Sequence, residues 1–210
     1  MDMRRVFAGG VNSMNLTVRY FVALAVLLAA GLAIFRGPVR SDYRRFGRLR
    51  TVTGLMEWAL MLGVFAFPYL YNPACWALVW SCPASASAWG RVVGLVLIAI
   101  GALLSFGSMA WLGLKRSTGL QVNVVFDRGL YRWTRNPQVL FGIGMILGVV
   151  CLWPSAYALG WLVASMVLFH TMVLTEEDHL ARVHGDAYRE YCRRVPRYLG
   201  RPTPGSGSQS

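Results

Sequence analysis

The stretch "TRNPQVLFGIGMILGVVCLWPSAYALGWLVASMVLFHTMVLTEEDHL" (Thr134–Leu180) decides the fold. It holds two apolar runs, Pro137–Trp153 and Ser155–Leu174, joined only by "WPS" (Trp153–Ser155). So short a turn forces two helices back on each other as an antiparallel hairpin. Each run approaches the roughly 20 residues that cross a hydrocarbon core of about 30 Å. The polar edges, "TRNPQ" and "TEEDHL", therefore return to the same membrane face at the open mouth of the hairpin.

Working outward, three more apolar runs qualify as spans: Tyr20–Phe35, Thr51–Tyr71 and Val92–Leu114. The expectation is an all-α integral membrane bundle of about five transmembrane helices. The 210 residues are 56% hydrophobic with a mean hydropathy of +0.46, more apolar than a soluble domain. Residues 1–114 read as three membrane helices with a basic loop at 36–50. Residues 115–200 read as a core of loop, hairpin and a C-terminal helical segment. The tail, 201–210, ends "PTPGSGSQS" and is expected to be disordered.

The 21 basic residues against 9 acidic ones would suit a nucleic-acid surface, but they fall between the apolar runs. Arg36–Arg50, Lys115–Arg135 and Arg182–Arg201 hold 17 of the 21. With five spans these segments share one side, which places them in the cytoplasm facing anionic lipid and the N-terminus outside. No nucleic-acid partner is expected. Residues 1–15 show no cleavable signal, so the first run is read as a retained span. Cys75 and Cys82 share the outer loop, either as a disulfide or as two free thiols; Cys151 and Cys192 lie on opposite sides and should not pair.

Candidate chemistry gathers at the mouth of the hairpin. Pro137 suits the first helical position, with Asn136 as the cap before it. The free N–H groups of that turn, beside Arg135, make an anion site; plain helix initiation is the simpler alternative. Glu176, Glu177 and Asp178 would follow directly on a helix end, where acids cost up to about 1 kcal/mol, so neighbouring arginines or a cationic ligand must offset them. "GDAYREYCRRVPRYL" (Gly185–Leu199) reads as a surface amphipathic helix ending at Val195, with Tyr188 and Tyr191 on one face. Glu57 lies within the second span, either as a functional group or snorkelling towards the interface. His170 reads as a packing or interfacial side chain. "EEDH" has Glu-x-x-His spacing, but three histidines in the chain do not supply a second ligand set, and no metal is expected. Gly142, Gly144 and Gly148 read as helix-packing positions.

The ordered set "GLYRWTRNP", hairpin, "EEDHL", "HGDAYREYCRRVPRYL" resembles the isoprenylcysteine carboxyl methyltransferase and phospholipid methyltransferase superfamily of integral membrane enzymes. The resemblance spans about residues 127–199. It is carried by Gly129, Tyr131, Arg135, Asn136, Pro137, Glu176, Glu177, Leu180, Gly185, Tyr188, Tyr191, Val195 and Pro196. Histidine often stands in the family where this chain has Asn136, tyrosine where it has Val139, and glycine near Phe141. The resemblance implies S-adenosylmethionine as cofactor, bound by Tyr131, Arg135, Asn136, Pro137, Glu176, Glu177, Tyr188 and Tyr191. It also implies transfer of a methyl group to a lipophilic or prenylated acceptor entering from the membrane lipid. Arg135, Glu177 and Glu57 are the expected catalytic residues. A carboxylate acceptor would need only an orienting Arg; an amine would need Glu57 or one of the paired glutamates to take its proton. A nicotinamide-dependent sterol-type reductase and a non-catalytic scaffold of the same fold are the competing readings.

Overall fold

The computed structural model describes residues 3–70, 86–112 and 129–200; Cys75, Cys82 and the tail lie outside them. Every described element is helical: α1 (Met3–Ile34), a π-turn (Phe35–Val39), α2 (Arg40–Phe46), α3 (Thr51–Leu70) and α4 (Ala88–Leu112). A 3₁₀ turn (Gly129–Arg132), α5 (Pro137–Leu152) and α6 (Ala156–Arg194) follow. The chain is an all-α membrane bundle with four long apolar helices and the shorter α5. At 1.5 Å per residue the 16 residues of α5 rise only about 24 Å, short of a full hydrocarbon core.

Two packing units build the bundle. In the first, α1, α3 and α6 bury Tyr20, Val64, Phe67, Trp161 and Leu168 against one another. The polar tips in that apolar interior are satisfied. Trp161 Nε1 donates to the Val64 carbonyl at 2.9 Å, and Tyr20 donates to the Tyr157 carbonyl at 2.8 Å. In the second unit, α4 lies almost in backbone contact with α5. A Cβ on Gly94 would lie 2.8 Å from the Gly148 carbonyl, and one on Gly148 2.6 Å from the Gly94 carbonyl. Of the glycines expected to pack helices, Gly148 does so; Gly142 meets only Ser105 at ordinary distance, and Gly144 faces open space. The hairpin of α5 and α6 links the units, its tight turn capped by Ser155, which accepts from the Ala158 N–H at 3.1 Å.

Two expectations about boundaries are overturned. The basic segment 36–50 is not a loop. Pro38 cannot donate to the helical ladder, so the chain passes through the π-turn, in which the Arg40 N–H reaches back to Phe35 and Gly37 carbonyls. Helix α2 then continues to Gly47 (φ 65°), a left-handed stop suited to glycine. The fifth span does not end at Leu174 either. Helix α6 runs on through the acidic residues and breaks only at Gly185 (φ 54°, ψ −124°) before resuming to Arg194. Glu176–Asp178 therefore sit inside a helix, and the terminal dipole expected to oppose them is two turns away.

Candidate functional site

The site is made where three chain segments cross at the basic end of the bundle. Val195 adopts an extended conformation (φ −115°, ψ 125°), as a residue before proline should, and turns the chain out of α6. Residues 196–197 then cross residues 134–136 as a strap. The Arg135 N–H donates to the Pro196 carbonyl at 3.0 Å, and the Thr134 hydroxyl donates to the Arg197 carbonyl at 3.1 Å. The Asn136 amide donates to that same carbonyl at 3.2 Å.

Glu177 is the hub. Arg197 donates to Oε2 twice, at 2.9 and 2.7 Å, and Arg135 Nη1 lies 3.3 Å from Oε1. The Asn136 amide adds a long contact to Oε1 at 3.4 Å. The Glu177 and Arg135 side chains are only 11% and 12% exposed, so this pair is shielded enough to hold three segments together. Its hydrogen bonds to Glu177 hold Arg197 above its ordinary pKa and firmly charged. Sequence reasoning missed Arg197; it follows directly on the Val195–Pro196 pair that carried the resemblance, and that adjacency was the available signal.

Asn136 precedes α5 as expected, with Pro137 at its first position, yet its side chain makes no cap bond. The amide is drawn to Glu177 and Arg197 instead, which leaves first-turn N–H groups of α5 without a side-chain cap. Tyr188 and Tyr191 do not lie on a surface helix: each is 4% exposed, packed with Val195 and Leu180. Tyr191 donates to the Tyr131 carbonyl at 2.8 Å and so pins the 3₁₀ turn to α6. Burial, reinforced by Glu176 nearby, keeps the Tyr131 phenol protonated well above its usual range, and Gln138 donates to it at 3.1 Å.

Glu176 stands next to Glu177 but does not share its arginines. It makes no hydrogen bond or ion pair among the described residues and lies in electrostatic range of Glu57, Tyr43 and Tyr131. Tyr43 comes from α2, whose docking onto α6 the sequence did not reveal. Its ring stacks on His179 at 4.2 Å, Arg40 reaches Asp178 at 3.6 Å, and buried Asp42 binds the Arg50 backbone and side chain at 3.1 and 2.9 Å. His170 is exposed, at 2.9 Å from the Tyr198 hydroxyl.

Between the two packing units a cavity of about 420 Å³ opens, within the usual range for small-molecule sites. Met61, Phe65, Phe106, Met145, Phe169 and Met172 give it an apolar wall, and Glu57 and Gln138 stand in that wall too. Leu62 and Phe106, at 65% and 62% exposure, form its outward rim. Gln138 is one residue into α5 and touches Tyr131, so the cavity adjoins the polar hub. The sequence-predicted residues thus divide in two. Arg135, Asn136, Pro137 and Glu177 meet at the hub; Glu57, Glu176 and Tyr131 meet at its border with the cavity.

Residues 89–187 match the family model described as phospholipid methyltransferase. No curated protein and no solved structure matches the chain. The matched segment contains α4, α5 and most of α6, and with them both the glycine-packed pair and the hub residues Arg135, Asn136 and Glu177. The match covers 99 of the 210 residues, and over this segment the chain is similar to the phospholipid methyltransferases, membrane methyltransferases of the isoprenylcysteine and phospholipid methyltransferase superfamily.

Proposed function

We propose that this protein is a multi-pass membrane enzyme that uses S-adenosylmethionine to methylate a lipophilic acceptor. The observation that carries the reading is the adjacency of a charged, strapped hub and an apolar cavity opening sideways between helices. The hub supplies donors that suit an amino-acid carboxylate: Arg135, whose Nε is buried without a partner, and the uncapped first turn of α5. Glu176, with no hydrogen bond of its own, suits an ammonium or a ribose hydroxyl. When bound, the cofactor supplies an electrophilic methyl group on a sulfonium.

The protein's part is positioning and exclusion of water. The Glu177 ion pairs fix Arg135 and Asn136 in place before ligand arrives, so little reorganisation is left for the reaction. Tyr131, held by Tyr191 and Gln138, keeps a neutral hydroxyl between hub and cavity. The cavity wall holds the acceptor's chain and keeps bulk water from the reacting atoms. The arginine bias supports a cytoplasmic hub and C-terminus, with the N-terminus outside.

The test is transfer of labelled methyl from S-adenosylmethionine to an organic-soluble product by purified protein in lipid nanodiscs. Gly142 lines the cavity, and a Cβ there would meet Ser105 Oγ only at 3.7 Å. Gly142→Leu should therefore fold, fill the cavity and raise the acceptor KM while leaving cofactor binding intact. Transfer indifferent to that change would place the acceptor elsewhere.

A further inference from the structure

The arginines at the basic end of the bundle are not alike. Those on α6 find counter-charges about one turn away: Arg182 meets Asp178, Arg189 meets Asp186, and Arg193 and Arg194 share Glu190. Around α2 the pattern is different. Its inner face, with Val39, Asp42 and Tyr43, is buried, and Asp42 is engaged by Arg50. Arg40 reaches across to Asp178. Arg36, Arg44, Arg45 and Arg48 are all exposed, and none makes a hydrogen bond or ion pair with a described residue. Four like charges crowded on one corner repel one another, a cost that an anionic partner removes. The other arginines of described placement that lack an acidic partner, Arg19, Arg91 and Arg132, stand singly on separate elements.

The corner lies at headgroup depth. From Leu16, where the apolar part of α1 begins, the helix to Phe35 rises about 30 Å, the thickness of a hydrocarbon core. Arg36 therefore stands at the edge of the core, and α2 carries Arg44 and Arg45 beyond it. The chain turns at Gly47 and re-enters lipid with α3, whose first turns expose Val52 and Leu55. Arg48 is thus held between two lipid-facing helices. Phe46 is exposed among these arginines, with the Arg50 guanidinium 5.1 Å from its ring centre, an apolar side chain of the kind that seats in the interfacial layer.

We propose that Arg44, Arg45 and Arg48, with Arg36 behind them, form a binding site for the phosphate of an anionic phospholipid from the surrounding leaflet. Guanidinium forks match phosphate oxygens, and the acyl chains of the same lipid lie against Val52 and Leu55. Composition alone treats all the basic segments as equal; the ion pairs separate them, because the arginines after Gly185 are neutralised within their own helix. The site also has a structural consequence. The opposite face of α2 stacks Tyr43 on His179 and joins Arg40 to Asp178, next to Glu177. A lipid bound at the corner therefore fastens α2 against the helix that carries the hub.

The experiment takes the full chain from nanodiscs holding equal amounts of phosphatidylcholine and phosphatidylglycerol, and counts the lipids retained on it by native mass spectrometry. Phosphatidylglycerol should be enriched about fivefold or more, roughly the factor that one basic residue contributes at an anionic surface. The variant Arg44→Gln/Arg45→Gln/Arg48→Gln should bring the ratio close to one. These side chains have no partner among the described residues, so its Tm in phosphatidylcholine should match the parent's. In phosphatidylglycerol the parent alone should gain stability, as a ligand of the folded state requires. Arg189→Gln/Arg193→Gln/Arg194→Gln removes the same formal charge from α6 and should leave the enrichment intact. Equal retention of the two lipids by the parent would overturn the proposal. So would enrichment that survives the α2 substitutions, or that falls equally in the α6 variant and so follows net charge alone. Retention of added inorganic phosphate with loss of the lipid would assign the corner to a free anion and equally overturn it.

Discussion

Replacing Glu177 with Gln keeps the shape of the side chain but removes the charge on which two arginines and an amide converge. Two hydrogen bonds from Arg197, at 2.9 and 2.7 Å, and the Arg135 contact at 3.3 Å all lose their ionic character. A hydrogen bond to a charged group contributes about 1.5–3 kcal/mol. Gln still offers one oxygen, and the Arg197 side chain is 37% exposed, so water already screens part of its share. Weighing these gives a loss of about 2–3 kcal/mol. For a chain of this size that lowers Tm by about 4–12 °C. Thermal unfolding in one detergent, followed by circular dichroism, measures it. The reasoning also fixes a double-mutant cycle: Arg197→Met alone should destabilise, yet cost almost nothing more in the Glu177→Gln background. Singles within about a degree of the parent, or a double change that is fully additive, would refute the hub as the clamp on the strap.

Other consequences are as open to measurement. Gly148→Ala places a methyl against the Gly94 carbonyl and should destabilise the α4–α5 pair by about 1–3 kcal/mol, read in the same unfolding assay. Asp42, 1% exposed, ties Arg50 to α2; Asp42→Asn should loosen that helix and speed tryptic cleavage at exposed Arg44 and Arg45. Fluorescent-protein fusions in a bacterial host should report the C-terminus as cytoplasmic and the N-terminus as external. The opposite pattern would reverse the assigned orientation.

Much of the fold was legible because its determinants are local. Apolar run length gave the helices, and the three-residue turn after Leu152 gave the hairpin. Pro137 gave the start of α5, and the same positional logic brought Arg135 and Glu177 together. What escaped the sequence depends on contacts between distant segments. A basic run interrupted by Gly37 and Pro38 reads as a loop; only the stacking of Tyr43 on His179 and the burial of Asp42 make it a docked helix. The acidic residues read as the end of a span because they are polar. Continuing the helix costs little once Glu177 is neutralised by Arg135 and Arg197. Asn136 is a good cap by type, but a carboxylate and a strap carbonyl outcompete its own helix for the amide. Glu57 was visible as an unusual residue; its cavity emerged only because the glycine-packed pair stands apart from α3.

The central claim is the cofactor, and calorimetry on the purified protein tests it most directly. S-adenosylmethionine and S-adenosylhomocysteine should bind, NADPH should not, and Arg135→Ala should abolish adenosyl-ligand binding in a protein that remains folded. Binding of NADPH alone would move the chain to a reductase chemistry, and silence from all three ligands would contradict an enzymatic role for the hub.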